Sequence, residues 1–353
     1  MQAPQGCWAM KMLGRSGMSA TGVGALPHTD PREACDAVIR VFPDFPYVPT
    51  LPARGTLEGI VFADSEHLPG RVFDGERLVV EDRGDLQASM EQVYLDFLEG
   101  NFERYSWSLE YASGFAEMIT RSLSGTPVLK AQVTGPVTFG MQVVDRERRP
   151  ILYDPQFADV LGKMTALHAR WCEVAMAGTG VAETLVVLNE PYLSALGSPV
   201  IPIGEDVVRD LWRDVAGMVE GGLGIHCCAN TDWGFVLSLD PAFLSFDAFR
   251  NGSEFLLYLD EIVAYLERGG TIAWGIVPSD WETFSATPVP GLLERFLAIR
   301  ERVGKAGGLD LFDARSVVTP SCGIKFADEM GAVTIMETAA WIARQVRDSV
   351  AGE

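Results

Sequence analysis

The sequence predicts an α/β fold, a single (β/α)8 barrel with a hairpin-plus-helix insertion after its second strand. Three observations predict it. Eight short β-branched or aliphatic runs recur along 353 residues, amphipathic helical stretches separate them, and the pattern nowhere reverses as it would at the switch point of a doubly wound sheet. Composition agrees, since 48% hydrophobic and 22% charged residues describe an ordinary globular chain with a sizeable core.

The strands are expected at 21–27, 47–51, 128–135, 184–190, 223–228, 243–247, 271–277 and 317–322. Most end in Gly, Pro or a polar residue, as strands feeding βα loops do. The intervening helices are expected within 31–42, 156–178, 205–222, 254–270 and 290–308, and several end in the glycine of a helix C-cap. Residues 53–100 are too long for a βα loop. Within them 72–82 predict a hairpin turning at Asp74-Gly75, and 85–100 a helix, so an insertion of about 53–100 is expected over one end of the barrel. Residues 1–17 read as a tail and 18–353 as one domain, because no Ser/Gly/Pro-rich linker divides them.

Charge narrows the partners. Against 28 Lys and Arg stand 48 Asp and Glu, and a formal charge of −20 repels a phosphate backbone, so nucleic acid is not expected. No run approaches the ~18 apolar residues of a bilayer span and the first residues lack a signal peptide's apolar stretch, so no membrane contact and a cytoplasmic location are expected. Six cysteines, Cys7, Cys35, Cys172, Cys227, Cys228 and Cys322, are too few and too clustered for a disulfide framework.

Catalytic groups on such barrels gather where the strands end. There stand His28, Gln132, Thr134, Asn189, Glu190, His226, Cys228, Asp247, Ser321 and Cys322. His226 and Cys228 are two apart, so alternation puts them on one face of a strand and Cys227 on the other. Imidazole and thiolate suit zinc, and Cys322, at another strand end, is the natural third ligand of a site with one open position. Cys35, Cys172 and Cys227 read as buried structural cysteines. Trp233, Trp274 and Trp281 are candidates to wall the site, though a Trp in such a place is more often core, and Asp232 could orient the His226 ring.

Taken in order, ValThrGlyProValThr at 133–138, AsnGluPro at 189–191, HisCysCys at 226–228 and ProSerCysGly at 320–323 resemble the catalytic barrel of cobalamin-independent methionine synthase. That family belongs to the superfamily that includes uroporphyrinogen decarboxylase and corrinoid-linked thiol methyltransferases. The resemblance covers about residues 20 to 350. It implies a zinc ion held by His226, Cys228 and Cys322, and a zinc-dependent methyltransferase that holds a small thiol as a thiolate. Glu190 and Asp247 are then the catalytic candidates, with Gln132, Thr134, Asn189, Ser321 and His28 binding substrate. Asp247 stands where the family places a Glu ligand, and Asn189 where it places the Asp that holds the amino group of homocysteine. The family's full-length enzymes also carry an N-terminal barrel, for which 353 residues leave no room. The expected methyl donor is therefore a corrinoid protein or another methylated small molecule. Two alternatives remain at this point, a uroporphyrinogen decarboxylase-like enzyme and a non-catalytic thiol- or corrinoid-binding accessory protein. The first needs cations at the strand ends, where only Arg54, Lys130 and Lys325 fall.

Overall fold

The computed structural model describes residues 17–75, 77–198 and 202–351. Residues 1–16, Cys7 among them, lie outside the described residues. A seven-stranded parallel sheet runs in the order β1-β9-β8-β7-β6-β5-β4. Its strands are β1 (Ser19–Ala20), β4 (Val128–Thr134), β5 (Glu183–Asn189), β6 (Gly222–Cys227), β7 (Phe243–Phe246), β8 (Thr271–Val277) and β9 (Ser316–Pro320). The last six fall within two residues of the sequence expectation.

The first two expected strands differ, and the reason is local. Only β1 and isolated pairings at Ala25–Thr50 and Tyr47–Lys130 form in 19–50. Pro49 removes a backbone donor from the second expected strand, which Pro46 and Pro52 flank, and Gly24 in the first sits at φ 49°, outside strand geometry. The segment still bridges the two edges of the sheet. Val48 N donates to Lys130 O (2.7 Å) on one side, and on the other Leu26 N donates to Thr50 O (2.9 Å) and Thr50 N to Gly24 O (3.1 Å).

Helices cover the outer face. One of the two longest, Pro155–Ala177, starts after Asp154, whose carboxylate accepts from Gln156 N and Phe157 N, with Pro at the position where a missing N–H costs nothing. It packs on helix Glu205–Met218 and on the sheet. The main apolar core lies between helices and sheet and contains Cys227, Trp233, Phe246 and Trp274. A second cluster fills the inside of the curl, with Phe45, Val128, Leu185, Val187, Phe243, Ala273 and Val317. Lys130 pairs with Leu185 in register and shares that interior; it is 1% exposed, its Nζ donates to Gly22 O and lies over the Tyr47 and Phe243 rings. Burial lowers its pKa to about 7.

Between the bridging segment and β4 lies a long excursion. Its antiparallel hairpin, β2 (Arg71–Asp74) with β3 (Arg77–Val80), turns through Gly75 at φ 61°, and helix Leu86–Glu99 follows. Two contacts clamp it to the end of β4: Thr134 N donates to Asp64 Oδ2 (2.7 Å), and Val61 N donates to Thr134 Oγ1 (3.1 Å). Val61 holds φ 72°, which a β-branched residue adopts only under constraint. Behind the clamp, His168 faces Asp64 Oδ1 (3.2 Å) with Nε2 and Tyr105 O (2.7 Å) with Nδ1, packed between Trp107 and Trp171. Both ring nitrogens therefore face acceptors, the arrangement of an imidazolium. Burial opposes that charge, but the Asp64 carboxylate outweighs it and holds the pKa of His168 well above its usual value.

Candidate metal centre

The parallel register carries the chemistry. Thr134, Asn189, His226 and Ser245 are paired in turn across β4, β5, β6 and β7, so their side chains share the inner face at the ends where the strands stop. Two residues beyond His226, Cys228 returns to that face, and Cys322 follows β9. One ligand atom from each of His226, Cys228 and Cys322 lies within 4.8 Å of the others. Cys227 points the opposite way into the outer core, where burial raises its thiol pKa to about 12.

The donors suit a metal. His226 is 3% exposed, its Nδ1 meets Ser245 Oγ at 2.9 Å, and its Nε2 is buried with no hydrogen-bond partner. In the tautomer whose Nδ1–H donates to that hydroxyl, the buried Nε2 offers a lone pair to an electrophile. Of the two thiols, Cys322 is the one that ionises more readily, because the Cys228 S–H donates to it and outweighs burial. Loss of the second proton, from Cys228, is opposed by the neighbouring negative sulfur and by burial. A divalent cation removes that conflict by drawing both thiolates to itself. These three side chains thus fit zinc in type, number and burial.

The other predicted residues occupy distinct places. Asp247 is 2% exposed and caps helix Ala248–Phe255, accepting from Arg250 N at 2.9 Å. Burial raises its pKa to about 6 against that hydrogen bond and the Arg250 charge, and the field of Cys322 acts on it as well. It therefore stands beside the cluster but outside the three converging atoms. Glu190 alternates away from Asn189. Its carboxylate accepts from Val137 N (2.9 Å) and Thr138 N (2.7 Å) at the start of helix Pro136–Gln142, and burial lifts its pKa to about 7 despite those donors. A Cβ at Gly135 would lie 2.2 Å from this carboxylate, so the close approach requires glycine. Gln132 Nε2 donates to Asn189 Oδ1 at 2.7 Å. Thr134 is engaged by Val61 and Asp64 as described, and Ser321 Oγ donates to Ser279 Oγ and accepts from Ser279 N, both at 3.2 Å. His28 is 4% exposed with Nδ1 unpartnered, and burial lowers its pKa.

Three expectations change. Asp232 caps helix Trp233–Ser238 through Phe235 N, and the partner of the His226 ring is Ser245. Trp233 and Trp274 are fully buried in the outer core, with Nε1 donating to Asn230 Oδ1 and Ser316 Oγ, and do not line the site. Two of the cations available to a decarboxylase are already engaged, Lys130 inside the curl and Arg54 on Glu58 at 2.7 Å. Ser245 and Asp64 were missed. The alternation in LeuSerPheAsp that exposed Asp247 also put Ser245 on the inner face, so the signal was present; for Asp64, inside the insertion, none was.

No family model and no curated protein matches the chain. Among solved structures it is similar to a B12-independent methionine synthase from Shewanella sp. W3-18-1 in complex with selenomethionine. The TM-score is 0.59 at 13% identity, over 96% of this chain and 100% of that one. It is also similar to a putative vitamin-B12 independent methionine synthase from Listeria monocytogenes, with a TM-score of 0.52 at 13% identity over 90% and 86% of the two chains. The fold is shared. At this identity the likeness concerns the fold alone.

Proposed function

We propose that this chain is a methyltransferase of the methionine synthase-like type, built on a (β/α)8 barrel with an insertion after its second strand, that uses zinc to methylate a small thiol. The observation that carries the reading is the convergence of His226, Cys228 and Cys322 at the strand ends of a fold shared with B12-independent methionine synthases. Zinc bound there would supply the Lewis acidity that keeps an acceptor thiol ionised near neutral pH, where a free thiol of pKa ~8.5 is mostly protonated.

This chain's own residues do the rest. Ser245 fixes the His226 ring so that Nε2 faces the cluster. Asp247, buried next to it, is a further carboxylate that would be available to a bound zinc. Glu190 holds the start of helix Pro136–Gln142 and so the loop that follows Thr134; we assign it a positioning role. Gln132 and Asn189 present amides to substrate from the same face, with Asn189 Oδ1 already bound by Gln132. Thr134, Ser321 and His28 shape the rim. With an amide at 189, homocysteine is a poor acceptor, and a corrinoid protein or a methylated small molecule is the donor we favour over a folate. Among the described residues no helix is long and apolar enough to cross a membrane, and we place the enzyme in the cytoplasm.

The test pairs methylcobalamin or methyltetrahydrofolate with homocysteine and other small thiols, using zinc-loaded protein. Thiol methylation that disappears in Cys322→Ser supports the reading. Bound zinc without turnover for any pair would leave an accessory role, and turnover that survives complete zinc removal would refute zinc-dependent transfer.

A further inference from the structure

The two sulfurs of the cluster come from separate parts of the sheet. Cys228 follows β6 and Cys322 follows β9, with β7 and β8 between, yet their sulfurs lie within 4.8 Å of each other. Both are partly exposed, whereas Cys35, Cys172 and Cys227 are buried. Cys227, although adjacent in sequence, is turned into the outer core and its S–H donates to Ala229 O at 3.4 Å. An oxidant arriving from solvent thus meets one pair of thiols and no third.

The backbone near Cys322 is held, because Ser321 N donates to Val277 O (2.7 Å) and Ile324 N to Ala25 O (2.8 Å). Closure therefore falls to the side chains. A disulfide needs its sulfurs ~2.05 Å apart. Turning one cysteine between staggered χ1 wells carries its sulfur by ~3 Å, which covers the remaining gap. An accessible thiol with a second thiol in reach is the arrangement of a reversible redox pair, since the second traps a sulfenic acid before oxidation goes further.

We propose that Cys228 and Cys322 form an intramolecular disulfide when hydrogen peroxide reaches them, and that this bond switches the metal centre off reversibly by consuming two of its three ligands. The pairing stands on the geometry of the two sulfurs; its consequence for zinc rests on the zinc-dependent reading above. One sulfur attacks the O–O bond, keeps one oxygen as a sulfenic acid and expels hydroxide, which a proton converts to water. The second sulfur displaces hydroxide from the sulfenic sulfur, closing the S–S bond and yielding a second water. Two electrons pass from the sulfurs to the peroxide, so a zinc ion bound by them leaves as Zn2+ with its charge unchanged, and solvent supplies two protons. A dithiol returns both electrons by thiol–disulfide exchange. Linkage between two chains is disfavoured by a formal charge of −20 on each.

The test titrates zinc-loaded protein with hydrogen peroxide and follows released zinc with a chromophoric chelator, intact mass, and tryptic peptides under non-reducing conditions. One zinc should be released per two thiols lost, the mass should fall by about 2 Da as two hydrogens leave, and peptides 214–250 and 316–325 should be joined. Dithiothreitol should restore both thiols and zinc binding. Cys227→Ser should give the same joined peptides, and Cys322→Ser should not. Whole oxygen atoms added at 228 or 322 without a link, a link that vanishes in Cys227→Ser, or a link found only between chains overturns the pairing. A disulfide that forms while zinc stays bound overturns the switch. The mapping is repeated on chelated protein, so absence of zinc would count against the functional reading and leave the disulfide result standing.

Discussion

His226 has to offer a lone pair in a fixed direction, and a single hydroxyl sets it. With Ser245 Oγ on Nδ1, the ring turns Nε2 to Cys228 and Cys322; without it the ring loses its rotational restraint. Ser245→Ala is expected to weaken zinc binding by roughly 10- to 100-fold, read by competition with a chromophoric chelator, with the far-UV spectrum unchanged. His226→Ala, Cys228→Ser and Cys322→Ser should each remove most of the bound metal by elemental analysis, and Cys227→Ser should not. Equal loss in the Cys227 variant would mean that the face assignment on β6 is off by one residue. These ligands were legible because a strand's period of two sorts His226 and Cys228 from Cys227 whatever the tertiary structure. The ring's partner was not. Asp232 is nearer along the chain, but only the β6–β7 register puts Ser245 beside His226, and register is a relation between segments.

The same limit governs the larger pieces. Periodicity placed six strands within two residues, since Val-, Ile- and Leu-rich runs buried on both faces have few other uses. It overstated the first two, where prolines and a left-handed glycine leave extended backbone with isolated pairings. Nor does it show how the inserted segment is tied down. That depends on Asp64, which binds Thr134 N and the His168 ring together. His168→Gln is expected to cost about 3 kcal/mol near neutral pH, because it leaves a buried carboxylate without its charged partner. The sign of the pH dependence follows from the raised pKa. The pair's stabilisation is complete below the unfolded histidine value of ~6.5 and is lost as pH rises through the higher folded value. Urea titrations of wild type and variant should therefore converge at alkaline pH, and amides near Asp64 should lose hydrogen-exchange protection there. A stability gap that widened with pH would contradict an imidazolium at 168.

How much the protein as a whole would depend on a bound metal follows from where the cores lie. One apolar cluster fills the space between helices and sheet and another fills the curl, while the three ligands stand at the rim on loops and strand ends. A chain of this size buries enough apolar surface to fold without a metal cross-link, unlike a zinc finger. Chelation should therefore leave the far-UV circular dichroism nearly unchanged. It should lower the melting temperature only by the linkage contribution of zinc, which grows with zinc concentration. Chemistry should respond more sharply. Cys228 and Cys322 are the partly exposed cysteines among the described residues, whereas Cys35, Cys172 and Cys227 are buried and the pKa of each is raised by burial. Removing zinc should thus make two more thiols per chain reactive toward a disulfide reagent under native conditions, Cys322 first because it is the sulfur already favoured as thiolate. The measurement is the thiol count by absorbance before and after chelation, repeated on Cys228→Ser and Cys322→Ser. If all buried cysteines became reactive together, chelation would be unfolding the protein, and the zinc would be a structural staple instead of part of a reactive centre.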